Sequence, residues 1–379
     1  MRFRVERDVL VDAVSWAART LPAKPQPPVL AGLRLAAGTD HALTVSSFDY
    51  VTASAAVVEV TASEAGEVLV PGKLLAEITR SLPSQLVELS TDPSRAVLSC
   101  GNARFSLPTL PLEDYPAMPA MPVGAGTVGS DAFAAAVSSV AIAANRDETL
   151  PVLTGVRLEI EGDQITLVAT DRYRLAIRTL RWQPDDPQLS RTALVPARTL
   201  GEVARALTGG AQVQIALTGA GTGDGGADGI VGFAGAGRRT TTRLIEGEFP
   251  KYRSLLPADV ASRAEVATAP LVEAVKRVAI VATLERTPTV RLTFRPDGLL
   301  LEAGGSDEAQ ASETLPAAFD GEELGIAFNA TFLLDGLAAI DSDTACFAFT
   351  TPSRPAVLTG KADGAGDYIY LLMPIRLSG

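Results

Sequence analysis

The segment VLTGVRLEI (residues 152–160), in the middle of a 379-residue chain, has two relatives in the same chain: VLAGLRLAA from Val29 and TVRLTFRP from Thr289. Each carries the apolar alternation of a strand with one buried face. Leu35, Leu158 and Leu292 correspond, 123 and 134 residues apart. A further strand signature follows each segment, LTVSSFDYVTASAAV, ITLVATDRYRLAIRTL and LLLEAGGSDEAQASETL, and aligns Asp49, Asp171 and Asp307. Next come VLVPGKLLAEITRSLP, ALVPARTLGEVARALT and GIAFNATFLLDGLAAID, strand-to-helix passages that align Pro71, Pro196 and Asn329. Upstream lie Ala/Val-rich stretches at residues 7–20, 130–144 and 269–282, with apolar spacings of three and four that predict helices. Asp8, Ser130 and Thr268 occupy the expected N-cap positions. A last hairpin ends at Asp114-Tyr115-Pro116, Glu248-Phe249-Pro250 and Leu372-Met373-Pro374.

These landmarks return in one order at intervals of 122 to 136 residues, which predicts a triplicated α+β domain of about 125 residues rather than an unrelated run of elements. Pro and Gly concentrate at residues 116–129 and 255–265, setting expected domains at 1–122, 123–257 and 258–379. Each unit has two helices and many short strands joined by tight turns, with no room for repeated βαβ crossovers. The sheets should be antiparallel.

Apolar residues make up 47% and charged residues 20% of the chain, which is globular composition. Lys and Arg number 33 against 44 Asp and Glu, a net charge of −11, and a uniform charge of that sign argues against nucleic acid. Only Cys100 and Cys346 are present, in keeping with a reducing compartment. No secretory h-region opens the sequence and no apolar run is long enough to span a bilayer, so a soluble cytoplasmic protein is expected.

Catalytic chemistry is hard to assemble from these residues. His41 is the sole histidine, and its pairing with Cys100 competes with the simpler reading of Cys100 as a small buried strand residue. No His/Cys metal cluster exists, no cofactor is expected, and Arg146-Asp147-Glu148 reads as a solvated helix end. GFAGAGRRTTTR (residues 232–243) mimics a phosphate loop but runs on into β-branched residues instead of a helix, so it reads as a hairpin turn. The Gly-rich stretches 219–229 and 361–367 read as hairpin loops.

Charge is unevenly distributed. Six helices predicted over 7–24, 71–83, 129–146, 196–208, 270–286 and 329–342 carry 11 basic and 9 acidic residues, a balance of +2 that leaves −13 elsewhere. If those helices share a face, it is mildly basic on an acidic body, suited to weak contact with phosphates.

The triplicated plan, with VATDRYRLAIR (168–178), EGEFPKYRSLLP (246–257), IAFNATFLLDGL (326–337) and the terminal YLLMPIRL (370–377), resembles the bacterial sliding clamps, the beta subunit of DNA polymerase III. LPTLPLEDYP and the RLSG ending look most like actinobacterial members. The resemblance implies a head-to-tail homodimeric ring with helices lining a hole that surrounds duplex DNA without regard to sequence. Arg19, Lys24, Lys73, Arg80, Arg146, Arg198, Arg205, Lys276 and Arg277 would face the DNA. The joint would pair Ile78, Phe105 and Leu107 with Ile280 and Val281 of a second copy, with thin acidic support from Glu308 and Glu313.

The resemblance also implies a cleft for short linear peptides between the second and third domains. Its partners would be the DNA polymerase III catalytic subunit, the clamp loader, other DNA polymerases, ligase and mismatch-repair proteins. The matching residues are Leu153, Thr170, Arg172, Arg174 and Leu175, then Pro250, Leu255, Asn329, Phe332 and Pro355, and finally Met373, Pro374, Ile375, Arg376 and Leu377. Leu175, Leu255, Met373 and Leu377 would form an adaptable apolar pocket with Arg174 and Arg376 as donors at its rim. The sequence departs from the family pattern at Arg172 (commonly Gly), Tyr173 (commonly His), Ser254 and Thr287. The expected role is a non-catalytic processivity factor. Competing readings are a divergent clamp copy acting as a specialised or inhibitor-tolerant peptide scaffold, and a hydrolase using Cys100 and His41.

Overall fold

The structure, a computed structural model, describes residues 1–92, 94–218, 229–282, 288–304, 309–361 and 368–376. Among the described residues are six α-helices: α1 (Arg7–Ala18), α2 (Gly72–Ser81), α3 (Ser130–Ala141), α4 (Ala197–Ala206), α5 (Thr268–Ala282) and α6 (Ala330–Ala338). Strand pairing among the described residues is antiparallel throughout, in four sheets. The chain forms two compact units, one made of residues 1–131, 183–186 and 202–244 and the other of 132–182, 187–201 and 245–379.

In the first unit a five-stranded sheet runs Thr61–Glu64, Arg2–Glu6, Leu86–Thr91, Arg95–Cys100, Ala103–Pro108. A nine-stranded sheet runs Gln183–Pro184, Gly124–Gly129, Gln212–Leu217, Ile230–Gly235, Arg238–Arg243, Thr52–Glu59, Ala42–Phe48, Gly32–Ala37, Gly66–Pro71. In the second unit the nine-stranded sheet runs Ser190–Pro196, Gly155–Glu161, Gln164–Thr170, Arg174–Arg181, Tyr368–Leu372, Ala356–Gly360, Thr344–Phe349, Ser262–Ala267, Ala318–Asp320. Its four-stranded sheet runs Ala311–Leu315, Gly298–Ala303, Thr289–Arg295, Leu324–Asn329.

The triplication is visible in these orders. The array Gly66–Pro71, Gly32–Ala37, Ala42–Phe48, Thr52–Glu59 has the same connectivity as Ser190–Pro196 through Arg174–Arg181 and as Leu324–Asn329 through Ala311–Leu315. Leu35, Leu158 and Leu292 occupy the same place in the three arrays and are all buried. Repetition extends to single hydrogen bonds. Asp49 Oδ1 accepts the N–H groups of Val51 and Thr52, and Asp171 Oδ1 accepts those of Tyr173 and Arg174. The next residue is left-handed in both turns, Tyr50 at φ 74° and Arg172 at φ 77°. Glycine adopts that conformation without steric cost, whereas Tyr50 and Arg172 hold it as non-glycine residues, fixed by the Asp49 and Asp171 hydrogen bonds. Asp307 lies outside the described residues.

Several helix ends differ from expectation. Helix α1 stops at Ala18 and α3 at Ala141, so Arg19, Lys24 and Arg146 follow helices instead of belonging to them. The six helices as folded carry seven basic and seven acidic residues, so the expected surplus of +2 is absent from the helices proper. The N-cap expectations also fail. Asp8 lies inside the first turn and pairs with Arg7. Ser130 donates its hydroxyl to the Gly210 carbonyl, and Thr268 Oγ1 donates to Ser342 O at 2.8 Å. Each helix continues straight from a strand, and a carbonyl beyond the next helix claims the hydroxyl that would have capped it. Asn329 does cap, accepting Phe332 N–H at 3.1 Å.

Residues 230–243 form the expected hairpin, turning through Ala236 and Gly237 at φ 51° and 73°. Gly219–Asp228 and most of 361–367, read as loops, lie outside the described residues. No described helix is long and apolar enough to cross a membrane.

Candidate functional site

Two strands of the second unit, Arg174–Arg181 and Tyr368–Leu372, make the seam where the second and third repeats join, with Leu175 opposite Leu371 and Arg174 opposite Leu372. The turn leading into this seam is tightly specified. Thr170 Oγ1 donates to Arg174 O at 2.7 Å and accepts Arg172 N–H at 3.2 Å, which buries Thr170 and turns Arg172 and Tyr173 outward. Beyond the seam, Met373 N–H donates to Tyr173 O at 2.9 Å and Ile375 N–H to Ala327 O at 2.8 Å. Residues 373–376 are thereby laid across the end of the sheet toward the strand Leu324–Asn329.

Arg174 does not stand at a rim. Its guanidinium is buried, with Nε donating to Asp171 Oδ2 at 2.9 Å and a terminal nitrogen donating to Asp335 Oδ2 at 2.6 Å. It lies 4.2 Å from the centre of the Phe332 ring and within 3.5 Å of the Tyr370 hydroxyl. Burial works against this charge, yet Tyr370, Asp335 and Asp171 together hold its pKa above the ordinary guanidinium value. Arg174 therefore ties the Asp171 turn, α6 and the last strand together, and the expected rim donor is a structural tie. The same burial pushes the Tyr370 phenol upward; its hydroxyl donates to Phe332 O at 2.9 Å.

Apolar groups surround this tie. Tyr173 is 60% exposed, Leu255 49% and Met373 40%. The Tyr173 and Phe332 rings lie 6.4 Å apart, and Phe332 is set by the Asn329 cap. Beneath them Leu175 is fully buried in a cluster with Val168, Ile177, Leu194, Phe249, Tyr252 and Leu371, flanked by Val152 and Leu256. Leu175 is thus floor and core, not an open pocket wall. Leu153 is also buried, in the 3-10 turn Pro151–Thr154. Pro355 precedes Ala356, which pairs with Leu372, so it neighbours Met373 in register. Pro250 and Arg376 are exposed, and Pro374 and Ile375 half-buried. Leu377 and Thr287 lie outside the described residues.

Family models of the N-terminal, central and C-terminal domains of the DNA polymerase III beta subunit match residues 1–119, 127–251 and 253–376. The chain belongs to this sliding-clamp family. The chain is 57% identical to the beta sliding clamp of Streptomyces coelicolor, each covered in full. It is 42% identical to the beta sliding clamp homolog GriR of Streptomyces muensis, with 99% of each chain covered. A crystal structure of the Pseudomonas aeruginosa clamp bound to griselimycin superposes with a TM-score of 0.90, at 26% identity and 100% coverage of both chains. The actinobacterial resemblance and the α+β clamp fold both hold.

The other clamp residues expected from sequence divide by exposure. Arg19, Lys24, Lys73, Arg80, Arg146, Arg198, Arg205, Lys276 and Arg277 are all exposed. Lys276 pairs with Glu273 at 2.7 Å and Arg277 with Glu313 at 2.6 Å. The Arg277 contact holds the Glu313 carboxyl below its usual pKa, so this acid is committed within its own chain. Glu308 lies outside the described residues. Of the expected joint residues, Ile78 and Leu107 sit in the chain's own core, Phe105 and Val281 are half-buried, and Ile280 is 67% exposed. Cys100 is buried with its thiol donating to Pro83 O at 3.3 Å, while His41 is exposed in a turn of a different sheet.

Sequence reasoning marked Tyr173 as a departure from the family pattern, and missed Asp171, Asp335 and Tyr370 as the partners of Arg174. Asp171 was already marked by its alignment with Asp49. Asp335 carries no such signal, standing 161 residues from the arginine it meets.

Proposed function

We propose that two copies of this chain close head to tail into a ring that encircles duplex DNA and tethers the replicative polymerase and other proteins to it. Three domains, at 1–122, 123–257 and 258–379, form each half. The pattern of open strand edges supports this reading. In the first unit, Thr52–Glu59 ends the array of the first repeat and pairs with Arg238–Arg243, the last strand of the second repeat. In the second unit, Arg174–Arg181 and Tyr368–Leu372 repeat that pairing one domain later. The next strand in the series is Ala311–Leu315, and the strand equivalent to its missing mate is Ala103–Pro108. Each is the edge of its sheet. Open edges invite pairing with another chain, and a heterologous contact of this kind closes when its rotation returns on itself. Phe105 on one edge and Ile280 on α5 supply apolar surface for the joint.

The nine exposed cations are suited to weak, salt-dependent phosphate contact, and the overall charge of −11 disfavours tight non-specific binding. Tyr173, Leu255 and Met373, with Pro250, Pro355 and Arg376 beside them, form the cleft that takes short peptides with apolar anchors. The role is non-catalytic and cytoplasmic. The higher identity to a beta sliding clamp than to GriR favours the principal clamp over a divergent copy.

Loading the protein on a nicked circular duplex and then linearising it tests the ring. Retention on the circle and release from the linear form are expected; equal dissociation from both sinks the topological mechanism. Replacing Arg19, Lys24, Arg146 and Arg198 together by Glu should abolish retention.

A further inference from the structure

We propose that Glu159, outside the cleft, is a positioning residue that clamps the inter-domain linker so that Leu255 stands ready in the cleft, an inference that rests on the peptide-cleft reading above. Glu159 lies on the strand Gly155–Glu161, and its carboxylate is almost wholly buried. One oxygen accepts Arg157 Nε at 2.8 Å. The other accepts both the Tyr252 hydroxyl at 2.9 Å and an Arg253 guanidinium nitrogen at 2.6 Å. Arg157 in turn lies 5.9 Å from the Phe249 ring centre, and Arg253 lies 5.3 Å from that of Tyr252. One carboxylate therefore holds linker residues 252 and 253 directly, and residue 249 through Arg157.

The linker needs such a holder. Tyr252–Leu255 is a single 3-10 turn without a side-chain cap, and isolated turns of this kind have little stability of their own. Its first residue is buried in the cluster beneath the cleft, while its last, Leu255, is half exposed. The following Leu256 returns to that cluster. Leu255 is thus presented between two anchored neighbours. Fixing an anchor before the ligand arrives removes part of the ordering cost of binding. A buried carboxylate is tolerated only when its partners are all present, so loss of Glu159 frees the turn instead of leaving a substitute contact.

The test uses the full-length protein and a fluorescein-labelled hexapeptide ending in Leu-Phe, read by fluorescence polarisation. Glu159→Gln should weaken binding about tenfold, and Tyr252→Phe, which removes one hydroxyl, about threefold. Ile326→Val, in the four-stranded sheet, serves as a control for lost stability and should bind within about twofold of the unaltered protein. Methyl NMR should show the Leu255 resonances of Glu159→Gln moving toward random-coil positions while those of Leu158 stay. If Leu255→Ser loses the peptide but Glu159→Gln and Tyr252→Phe bind it normally, the cleft stands and the role of Glu159 is wrong. If the unaltered protein fails to bind the peptide, the cleft reading falls and this inference with it. Should Glu159→Gln not fold, the Tyr252→Phe affinity and its Leu255 spectrum decide.

Discussion

The two internal seams share a strand pairing and differ in what fills it. In the first unit the seam is a row of hydroxyls, with Thr52 and Thr242 at 3.0 Å, Ser54 and Thr240 at 3.1 Å, and Thr20 reaching Ser54 at 2.6 Å. In the second unit the matching positions carry Arg174 opposite Leu372 and Ala176 opposite Tyr370. The turns diverge in the same way. Phe48 precedes Asp49 where Thr170 precedes Asp171, and its N–H donates to the Tyr115 hydroxyl at 2.7 Å. The Phe48 and Tyr50 rings lie 5.8 Å apart. Backbone hydrogen bonds are common to both seams, down to Arg243 N–H on Val51 O and Met373 N–H on Tyr173 O. The side chains differ while the frame does not, so a triplicated fold can vary the chemistry of one junction without altering its backbone.

The largest expected effect is on the second seam. Arg174→Met leaves Asp171 and Asp335 without their cation, and loss of one partner of a buried pair costs about 3 kcal/mol or more. Asp335 keeps about a third of its surface in water, which places the expected loss at the low end; urea denaturation measures it. A gain in stability would mean the tie serves geometry alone. Giving the second seam the turn residue of the first, Phe48 in place of Thr170, comes next. Thr170→Phe should cut affinity for an apolar-anchored peptide at least about tenfold, with an overpacking cost of about 1–3 kcal/mol. Undiminished affinity would show that volume at this turn does not distinguish the seams.

A smaller effect concerns Tyr115, whose pKa burial raises to about 12. A phenol with a raised folded-state value favours the protonated folded form, so its contribution is complete below pH 10 and is lost as pH rises through 12. Tyr115→Phe should cost about 1 kcal/mol at pH 7 and flatten the decline in stability between pH 10 and 12. Denaturation at several pH values compares the two proteins. Smallest is Thr242→Val, which removes one rung of the hydroxyl row at similar shape and should cost about 1 kcal/mol or less. A larger loss would show that the row acts cooperatively.

Part of the second seam was legible before folding, because the repeat aligned Asp171 with Asp49 and the motifs at 246–257 and 370–377 drew attention to Leu255, Met373 and Arg376. The direction of Arg174 was not. Its sequence neighbours mark it only as a strand residue, whereas its buried ion pair is with a helix of the next domain. Leu107 and Ile78 show a related limit: apolar residues look alike in sequence whether they face a partner or, as both do within one chain, their own core. The charge surplus assigned to the helices vanished because Arg19, Lys24 and Arg146 fall just beyond helix ends, where periodicity is a poor guide to boundaries.

The sequence by itself determined the triplication, the antiparallel class and the family, since these rest on spacing and alternation that survive in a linear string. Tertiary structure alone decided which strands join across domains, which side chains each seam buries, and which charges are spent inside the chain. Those outcomes depend on volume and distance between residues far apart in sequence, such as Arg174 and Asp335 or Glu159 and Arg253.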